Sequence, residues 1–80
     1  MFVRSAKDLA LLVIDRRKKL KLSQSALADL VGLKQSTISA FENKPESTKL
    51  DTLFHILSAV KLDIKALPKE ESDTGWKEEW

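Results

Sequence analysis

One short predicted helix carries polar side chains suited to contact with the edges of DNA bases. Gln can form two hydrogen bonds with adenine N6 and N7, Lys can donate to guanine O6 and N7, and Ser adapts to several bases. The outward face of this helix is short, polar and free of carboxylates, so it can enter a major groove. Base contacts concentrate at the amino end of such a helix and one turn further on. The candidate base-reading residues are therefore Lys34, Gln35, Ser36 and Ser39.

A second set of residues is suited to the phosphate backbone. Small hydroxyls and cations flank the same helix, and the start of the preceding helix offers N–H groups at the positive end of its dipole. For Gln24, which opens that preceding helix, a purely structural role at the helix start is the alternative. The candidate phosphate-binding residues are Ser23, Gln24, Thr37, Lys44, Ser47, Thr48 and Lys49.

The stretch from Leu22 to Asn43 predicts the elements that position these side chains. A helix-turn-helix has two short helices that cross steeply over a turn of three or four residues. Ala28 is small where the helices cross, and Gly32 lies where the first must end, in the left-handed conformation that Gly enters at little cost. The apolar residues expected to share one core are Leu27, Val31, Leu33, Ile38 and Phe41.

Capping signals and apolar spacing predict four helices. The first runs from about Ser5, with Asp8 three residues later, to about Lys19. Ser23 caps the second helix, which runs to Val31. The core residues expected on the first helix and just after it are Leu9, Leu12, Val13 and Leu20.

The third helix runs from about Gln35 to Asn43, where Asn43-Lys44-Pro45 stops it. Ser47 or Thr48 caps a fourth helix that reaches about Val60. The apolar stripe expected on this helix is Leu50, Leu53, Phe54, Leu57 and Val60. His55, also on it, is interpreted as a surface or packing residue.

The hydrophobic period changes to two after the fourth helix. Leu62, Ile64 and Ala66 alternate with Asp63 and Lys65, which predicts a short strand. A lone strand leaves backbone groups unpaired along both edges, and the same strand from a second copy would pair them across a two-fold axis. The alternative is that the segment continues the helix or frays. We expect the strand, and with it a homodimer.

Length and composition set the broad class. Eighty residues with 42% hydrophobic content form one small domain. Without Cys, and with a single His, neither a disulfide nor a metal site is expected. No apolar run reaches the roughly 18 residues of a membrane span, and no signal peptide opens the chain, so the expected compartment is the cytoplasm. The fold class expected is mainly α, with four helices and a short strand.

Charge is distributed unevenly along the chain. Residues 1–49 hold ten Lys and Arg against five Asp and Glu, whereas residues 50–80 hold four against seven. The basic part contains the helix-turn-helix and can neutralise phosphates. The residue pattern argues against an enzyme, because Ser, Asp and His are not grouped by any recognisable motif. The two glycines, Gly32 and Gly75, form no phosphate-binding loop, and no cofactor is expected.

The acidic carboxy-terminal segment is distinct from the rest of the sequence. Residues 1–67 form the predicted DNA-binding and dimerisation domain, and residues 68–80 a disordered tail. Trp76 and Trp80, the only tryptophans, both lie in this tail. Large aromatic side chains commonly anchor in a pocket on a partner. The alternative is that both are incidental.

The motifs Leu22-Ser23-Gln24-x-x-Leu27-Ala28 and Ile38-Ser39-x-Phe41-Glu42-Asn43 resemble the DNA-binding family of phage Cro and C1 repressors. Within that family the sequence is similar to the HipB-type antitoxins of HipA/HipB toxin–antitoxin modules. Four features carry this resemblance: Lys34-Gln35-x-Thr37-Ile38-Ser39, Phe41-Glu42-Asn43-x-Pro45, the strand, and the terminal Glu79-Trp80. Two turn positions depart from it, since Lys21 and Asn43 stand where the family usually has Gly.

The resemblance implies an autorepressor that binds inverted-repeat operators as a dimer and holds a HipA-like kinase toxin in the bacterial cytoplasm, at the nucleoid. It also implies that Arg17 and Glu42 form a structural ion pair between the first helix and the end of the third. The tail, with Trp76 and Trp80, would then contact the toxin. The alternative is a stand-alone regulator of the Cro type whose tail binds nothing.

Overall fold

The computed structural model describes residues 2–69, and four α-helices form the folded part of this range. They are α1 (Ala6–Lys19), α2 (Gln24–Val31), α3 (Gln35–Asn43) and α4 (Leu50–Ala59). A short 3-10 helix, Pro45–Ser47, follows the predicted stop after Asn43. The four predicted helices are thus confirmed.

The ends of the first two helices follow the predicted local chemistry. Ser5 Oγ accepts a hydrogen bond from the Asp8 N–H, and Ser23 Oγ accepts one from the Ala26 N–H. Each bond satisfies an amide that has no partner within its helix. At the end of α2, Gly32 has a φ of 69°, the left-handed conformation that its position in the turn predicted.

The predicted cap of the fourth helix is wrong. Neither Ser47 nor Thr48 caps α4, because its N-cap residue is Lys49, which makes no side-chain hydrogen bond to the first turn. The hydroxyls of Ser47 and Thr48 lie beside α3 instead. The physical reason is that the 3-10 turn at Pro45–Ser47 uses these residues and delays the start of α4.

Helix α2 lies at the centre of the fold, packed against both α3 and α4, while α1 packs against α3. The buried core is Ala10, Val13, Leu27, Ala28, Ile38, Phe41, Ile56, Leu57 and Val60. The predicted stripe of α4 needs a correction, because Leu50 and Phe54 are 68% and 55% exposed. Ile56, which the stripe omitted, is fully buried and extends the core face of α4 away from those two residues.

Two lysines adopt a conformation that favours glycine. Lys21 has a φ of 60° and Lys61 a φ of 59°, each one residue beyond the C-cap of its helix. The amide of each bonds back to the preceding helix, from Lys21 N to Lys18 O and from Lys61 N to Ser58 O. Both are left-handed turns that end a helix, and each contains a side chain that such a turn disfavours.

After α4 the chain lies at the surface, with residues 63–69 all exposed. Residues 62–69 form no strand within the single chain, although Leu62 packs partly against the core. A strand requires a neighbouring strand to pair with, and within the described residues the backbone of this segment makes only the hydrogen bond from Leu62 N to Leu57 O that closes the end of α4. Pairing through Leu62, Ile64 and Ala66 therefore stays a prediction about a second copy. Trp76 and Trp80 lie outside the described residues.

Candidate nucleic-acid interface

Helix α3 has a buried face and an exposed amino end, and most of the predicted recognition residues lie at the exposed end. Ile38 and Phe41 are buried on one side of this helix. Lys34, its N-cap residue, makes no side-chain hydrogen bond to the first turn. Lys34, Gln35 and Ser36 are all exposed. The amino end of α3 therefore presents an ammonium, an amide and a hydroxyl outward, next to N–H groups without a side-chain cap.

Ser39 lies one turn further along α3 and is only partly exposed. Its Oγ accepts a hydrogen bond of 3.2 Å from Asn43 Nδ2. Ser39 is thus tied to the carboxy end of the same helix, where Asn43 is exposed. Sequence reasoning treated Asn43 only as a turn residue. Its spacing of four from Ser39 is the signal that could have placed both side chains on one face.

An open hollow of about 290 Å³ lies beside α3. It brings together side chains from three successive elements, and most of them carry hydroxyls. Because Lys49 leaves the first turn of α4 without a side-chain cap, the hollow combines hydroxyls, an ammonium and a helix N-terminus, all of which bind phosphate oxygens. Its lining residues are Ser36, Thr37, Ala40, Ser47, Thr48, Lys49 and Thr52.

The hollow contains four of the seven predicted phosphate-binding residues, namely Thr37, Ser47, Thr48 and Lys49. It also contains Thr52, which sequence reasoning missed; its position in the first turn of the fourth helix, beside Lys49, could have indicated it.

The other three candidates for phosphate lie elsewhere. Lys44 is exposed and does not line the hollow. Ser23 is exposed at the start of α2, where its oxygen accepts the capping hydrogen bond while its O–H can still donate. Gln24, next to it, is partly buried and its amide is engaged with other side chains.

Those side chains form a continuous hydrogen-bonded chain from α1 to the exposed end of α3. Arg17 donates from Nε to Glu42 Oε2 at 2.7 Å and from Nη2 to Glu42 Oε1 at 3.0 Å. Gln24 Nε2 donates to Glu42 Oε1 at 2.9 Å, and Gln35 Nε2 donates to Gln24 Oε1 at 2.8 Å. Arg17 and Glu42 thus form an ion pair that is linked through Gln24 to a predicted base-reading residue.

Within the described residues 2–69 no three His, Cys, Asp or Glu side chains are placed to share a metal ion. No helix in that range is long and apolar enough to cross a bilayer.

The sequence from residue 13 to residue 67 matches the family described as helix-turn-helix. This range is more than half of the chain and includes α2, α3 and α4. The chain belongs to the helix-turn-helix family. Helices α2 and α3, with the turn at the left-handed Gly32 between them, are the parts of the fold that give this family its name.

Two relatives of this helix-turn-helix chain carry the name antitoxin HipB. The protein from Escherichia coli O6:H1 is 42% identical over 62 residues, which cover 68% of this chain and 66% of the relative. The protein from Escherichia coli K12 is 50% identical over 42 residues, covering 52% of this chain and 48% of the relative. The chain therefore spans just under two thirds, and about half, of the length of the curated relatives that it matches.

Solved structures of proteins named HipB have the same fold as this chain. A HipA–HipB–O2–O3 complex contains a chain that is 36% identical and superimposes with a TM-score of 0.83, covering 88% of this chain and 99% of that one. A HipB–O4 20mer complex gives the same identity, coverage and TM-score. The helix-turn-helix fold is therefore shared over nearly the whole of these chains.

Proposed function

We propose that this protein is a sequence-specific DNA-binding repressor and the antitoxin of a HipA-like kinase toxin. The observation that carries DNA binding is the exposed amino end of α3, where Lys34, Gln35 and Ser36 face away from the core. These side chains are the right types and occupy the right place to contact base edges in a major groove.

The hollow beside α3 supports the same orientation on DNA. When α3 lies in the major groove, the hydroxyls of Thr37, Ser47 and Thr48 and the ammonium of Lys49 face the adjoining backbone. Phosphate contacts of this kind set the register of the recognition helix and supply affinity that falls with salt. Ser23, Gln24 and Lys44 extend the proposed backbone contacts, and Ser39 adds a base or a phosphate contact.

Operator recognition in this proposal requires a dimer. Each chain has one recognition helix, and two such helices must enter successive major grooves about 34 Å apart to recognise an inverted repeat. The exposed segment 62–67 supplies the pairing strand, with Leu62, Ile64 and Ala66 on one face. Antiparallel pairing of two copies would satisfy the backbone groups that the single chain leaves exposed.

The antitoxin part of the proposal rests on the relatives. Both curated relatives are named antitoxin HipB, and one solved structure with the same fold is a HipA–HipB complex. We infer that this chain likewise binds a HipA-like kinase toxin in the bacterial cytoplasm, at the nucleoid, with Trp76 and Trp80 of the tail among its contacts.

DNA recognition is tested by selection from a library of random duplex DNA. The purified protein should recover an inverted repeat, and binding to that sequence should fall as salt is raised. Recovery of no preferred sequence would contradict the proposal.

The toxin partner is tested separately by co-expression with a HipA-like kinase from the protein's own host. Co-purification in a defined ratio supports the antitoxin. A protein that binds its operator but retains no kinase would instead be a stand-alone regulator.

A further inference from the structure

The ion pair between α1 and α3 lies at one end of a chain of hydrogen-bonded side chains whose other end, Gln35, is exposed at the amino end of α3. The side chains of Arg17 and Glu42 are 11% and 6% exposed, so water competes little for the Glu42 oxygens. Gln24 links Glu42 to Gln35, which is exposed on the proposed recognition surface. The hydrogen-bonded side chains therefore connect the interior of the fold to the predicted point of base contact.

The chemistry of Glu42 gives this chain a direction. A carboxylate only accepts hydrogen bonds, so Gln24 has to turn its NH2 group toward Glu42. Its carbonyl oxygen then faces Gln35, and Gln35 has to turn its own NH2 group toward that oxygen. Without the carboxylate, both amides could be rotated by half a turn, so that NH2 group and oxygen exchange places. With the carboxylate at one end, only the observed orientation of the two amides makes all the hydrogen bonds.

We infer that Glu42 is a positioning residue that fixes which atoms Gln35 presents to the DNA, and that it thereby selects adenine over guanine. This inference rests on the proposed DNA-binding function. With one N–H committed to Gln24, Gln35 retains one N–H donor and its Oε1 acceptor. Adenine offers N7 as an acceptor and N6–H2 as a donor, which complements that pair, whereas guanine offers two acceptors, N7 and O6.

Reversal of the chain would reverse the base preference. If Gln24 turned its NH2 group toward Gln35, the oxygen of Gln35 would turn toward Gln24, and both N–H groups of Gln35 would be available to a base. Two donors match the N7 and O6 acceptors of guanine. Glu42 acts here without touching DNA, through the direction of two hydrogen bonds.

The test compares two variants that both weaken the ion pair but differ at the acceptor. Glu42→Gln replaces the carboxylate with a group that can also donate, so Gln24 is able to turn either way. Arg17→Lys also loses the two-point ion pair, yet it leaves the Glu42 carboxylate in place. Each variant is put through selection from the same random duplex library, and the adenine-to-guanine ratio is measured at every position of the recovered half-site.

In the parental protein we expect one position with a ratio of about tenfold or more, the discrimination of a good bidentate contact. Glu42→Gln should lower that ratio to less than about threefold, while Arg17→Lys should keep it within about threefold of the parental value. A purely structural role for Glu42 predicts that both variants lose affinity while the ratio stays unchanged.

Gln24→Met provides a second route in case Glu42→Gln does not fold. Met is close to Gln in size but has no amide, and this variant leaves the ion pair intact. Freed from Gln24, the Gln35 amide can turn, so the ratio should fall as in Glu42→Gln, whatever happens to total affinity.

The inference is overturned if the parental ratio persists in Glu42→Gln or Gln24→Met, or if Arg17→Lys lowers it as much as Glu42→Gln does. Failure of the parental protein to select any sequence overturns the proposed function itself.

Discussion

Gln35 is the residue on which base preference depends most directly in the proposed function. Its side chain is exposed at the amino end of α3 and is held by one hydrogen bond to Gln24. Gln35→Ala removes a contact to a base edge and should weaken binding to the selected operator by about 1–3 kcal/mol, with relaxed base preference at one position. Fluorescence anisotropy on operator and on single-base variants measures both effects.

Lys49→Ala is the matched control, because Lys49 lines the hollow beside α3, where we propose a phosphate contact. Loss of a phosphate contact should weaken operator and random DNA alike and make the salt dependence less steep, by about one in its slope. Equal losses on both DNAs for Gln35→Ala would place base recognition elsewhere on the protein.

Arg17 has a structural role that can be measured without DNA. Besides the pair with Glu42, its Nη1 donates to the Leu22 carbonyl oxygen at 2.9 Å. Arg17→Met leaves a nearly buried carboxylate and a carbonyl without these donors and should lower the free energy of unfolding by about 3 kcal/mol. Urea denaturation followed by circular dichroism measures the change.

The exposed pair between Lys19 and Asp15 provides the comparison. Their side chains are 70% and 60% exposed, so Lys19→Met should change the free energy of unfolding by less than about 0.5 kcal/mol. If the two variants were equally stable, the pair of Arg17 with Glu42 would contribute no more than a surface contact.

At the scale of elements, α1 and α2 both end in a left-handed turn, one at a lysine and the other at a glycine. Lys21 follows α1 with a φ of 60°, and Gly32 follows α2 with a φ of 69°. Lys21→Gly relieves left-handed strain of about 1–2 kcal/mol but adds freedom to the unfolded chain, so the expected net stabilisation is about 0.5–1 kcal/mol.

Gly32→Ala is the converse substitution, because it places a side chain on a residue with a left-handed backbone conformation. An added Cβ would meet nothing within 4 Å, so no steric contact complicates the result. The variant should lose about 1 kcal/mol of stability. Thermal unfolding of both proteins measures the shifts, and a destabilised Lys21→Gly would show that Lys21 makes a compensating interaction.

At the scale of the whole molecule, the exposed segment after α4 is expected to hold two copies together. Ile64 is 50% exposed in the single chain, so Ile64→Pro should leave the helical domain folded while it removes a backbone donor from the proposed strand. Light scattering at micromolar concentration should show a dimer for the parent and a monomer for the variant.

Lys65→Ala, on the other face of the alternating pattern, should remain dimeric. A parental protein that is monomeric at that concentration would contradict strand pairing. A dimeric Ile64→Pro would assign the interface to another surface.

The tail prediction also concerns the assembled molecule. Trp80 lies outside the described residues, and its aromatic area, placed in a partner's pocket, would contribute a few kcal/mol less the entropy of ordering the tail. Deleting Trp80 should leave unfolding, dimerisation and operator affinity nearly unchanged while weakening binding to the HipA-like kinase. Calorimetric titration measures that binding. Unaltered toxin affinity, or an unfolded domain, would contradict the anchor.

The four helices, the turn between α2 and α3, and the family could all be predicted from short stretches of the sequence. Ser23, Gly32 and Pro45 act through their own backbone or that of the next few residues, so their effects can be predicted from short segments. The apolar spacing of Ile38 and Phe41 likewise fixes which face of α3 is buried.

Features that depend on residues far apart in the sequence could not be predicted in this way. The predicted stripe on α4 misplaced Leu50 and Phe54, because the angle at which a helix meets its neighbours sets the edge of its buried face. The link from Glu42 through Gln24 to Gln35 joins three side chains on two different helices. No local pattern contains the distances on which this link depends, since hydrogen bonds between helices form only after packing has brought their side chains together.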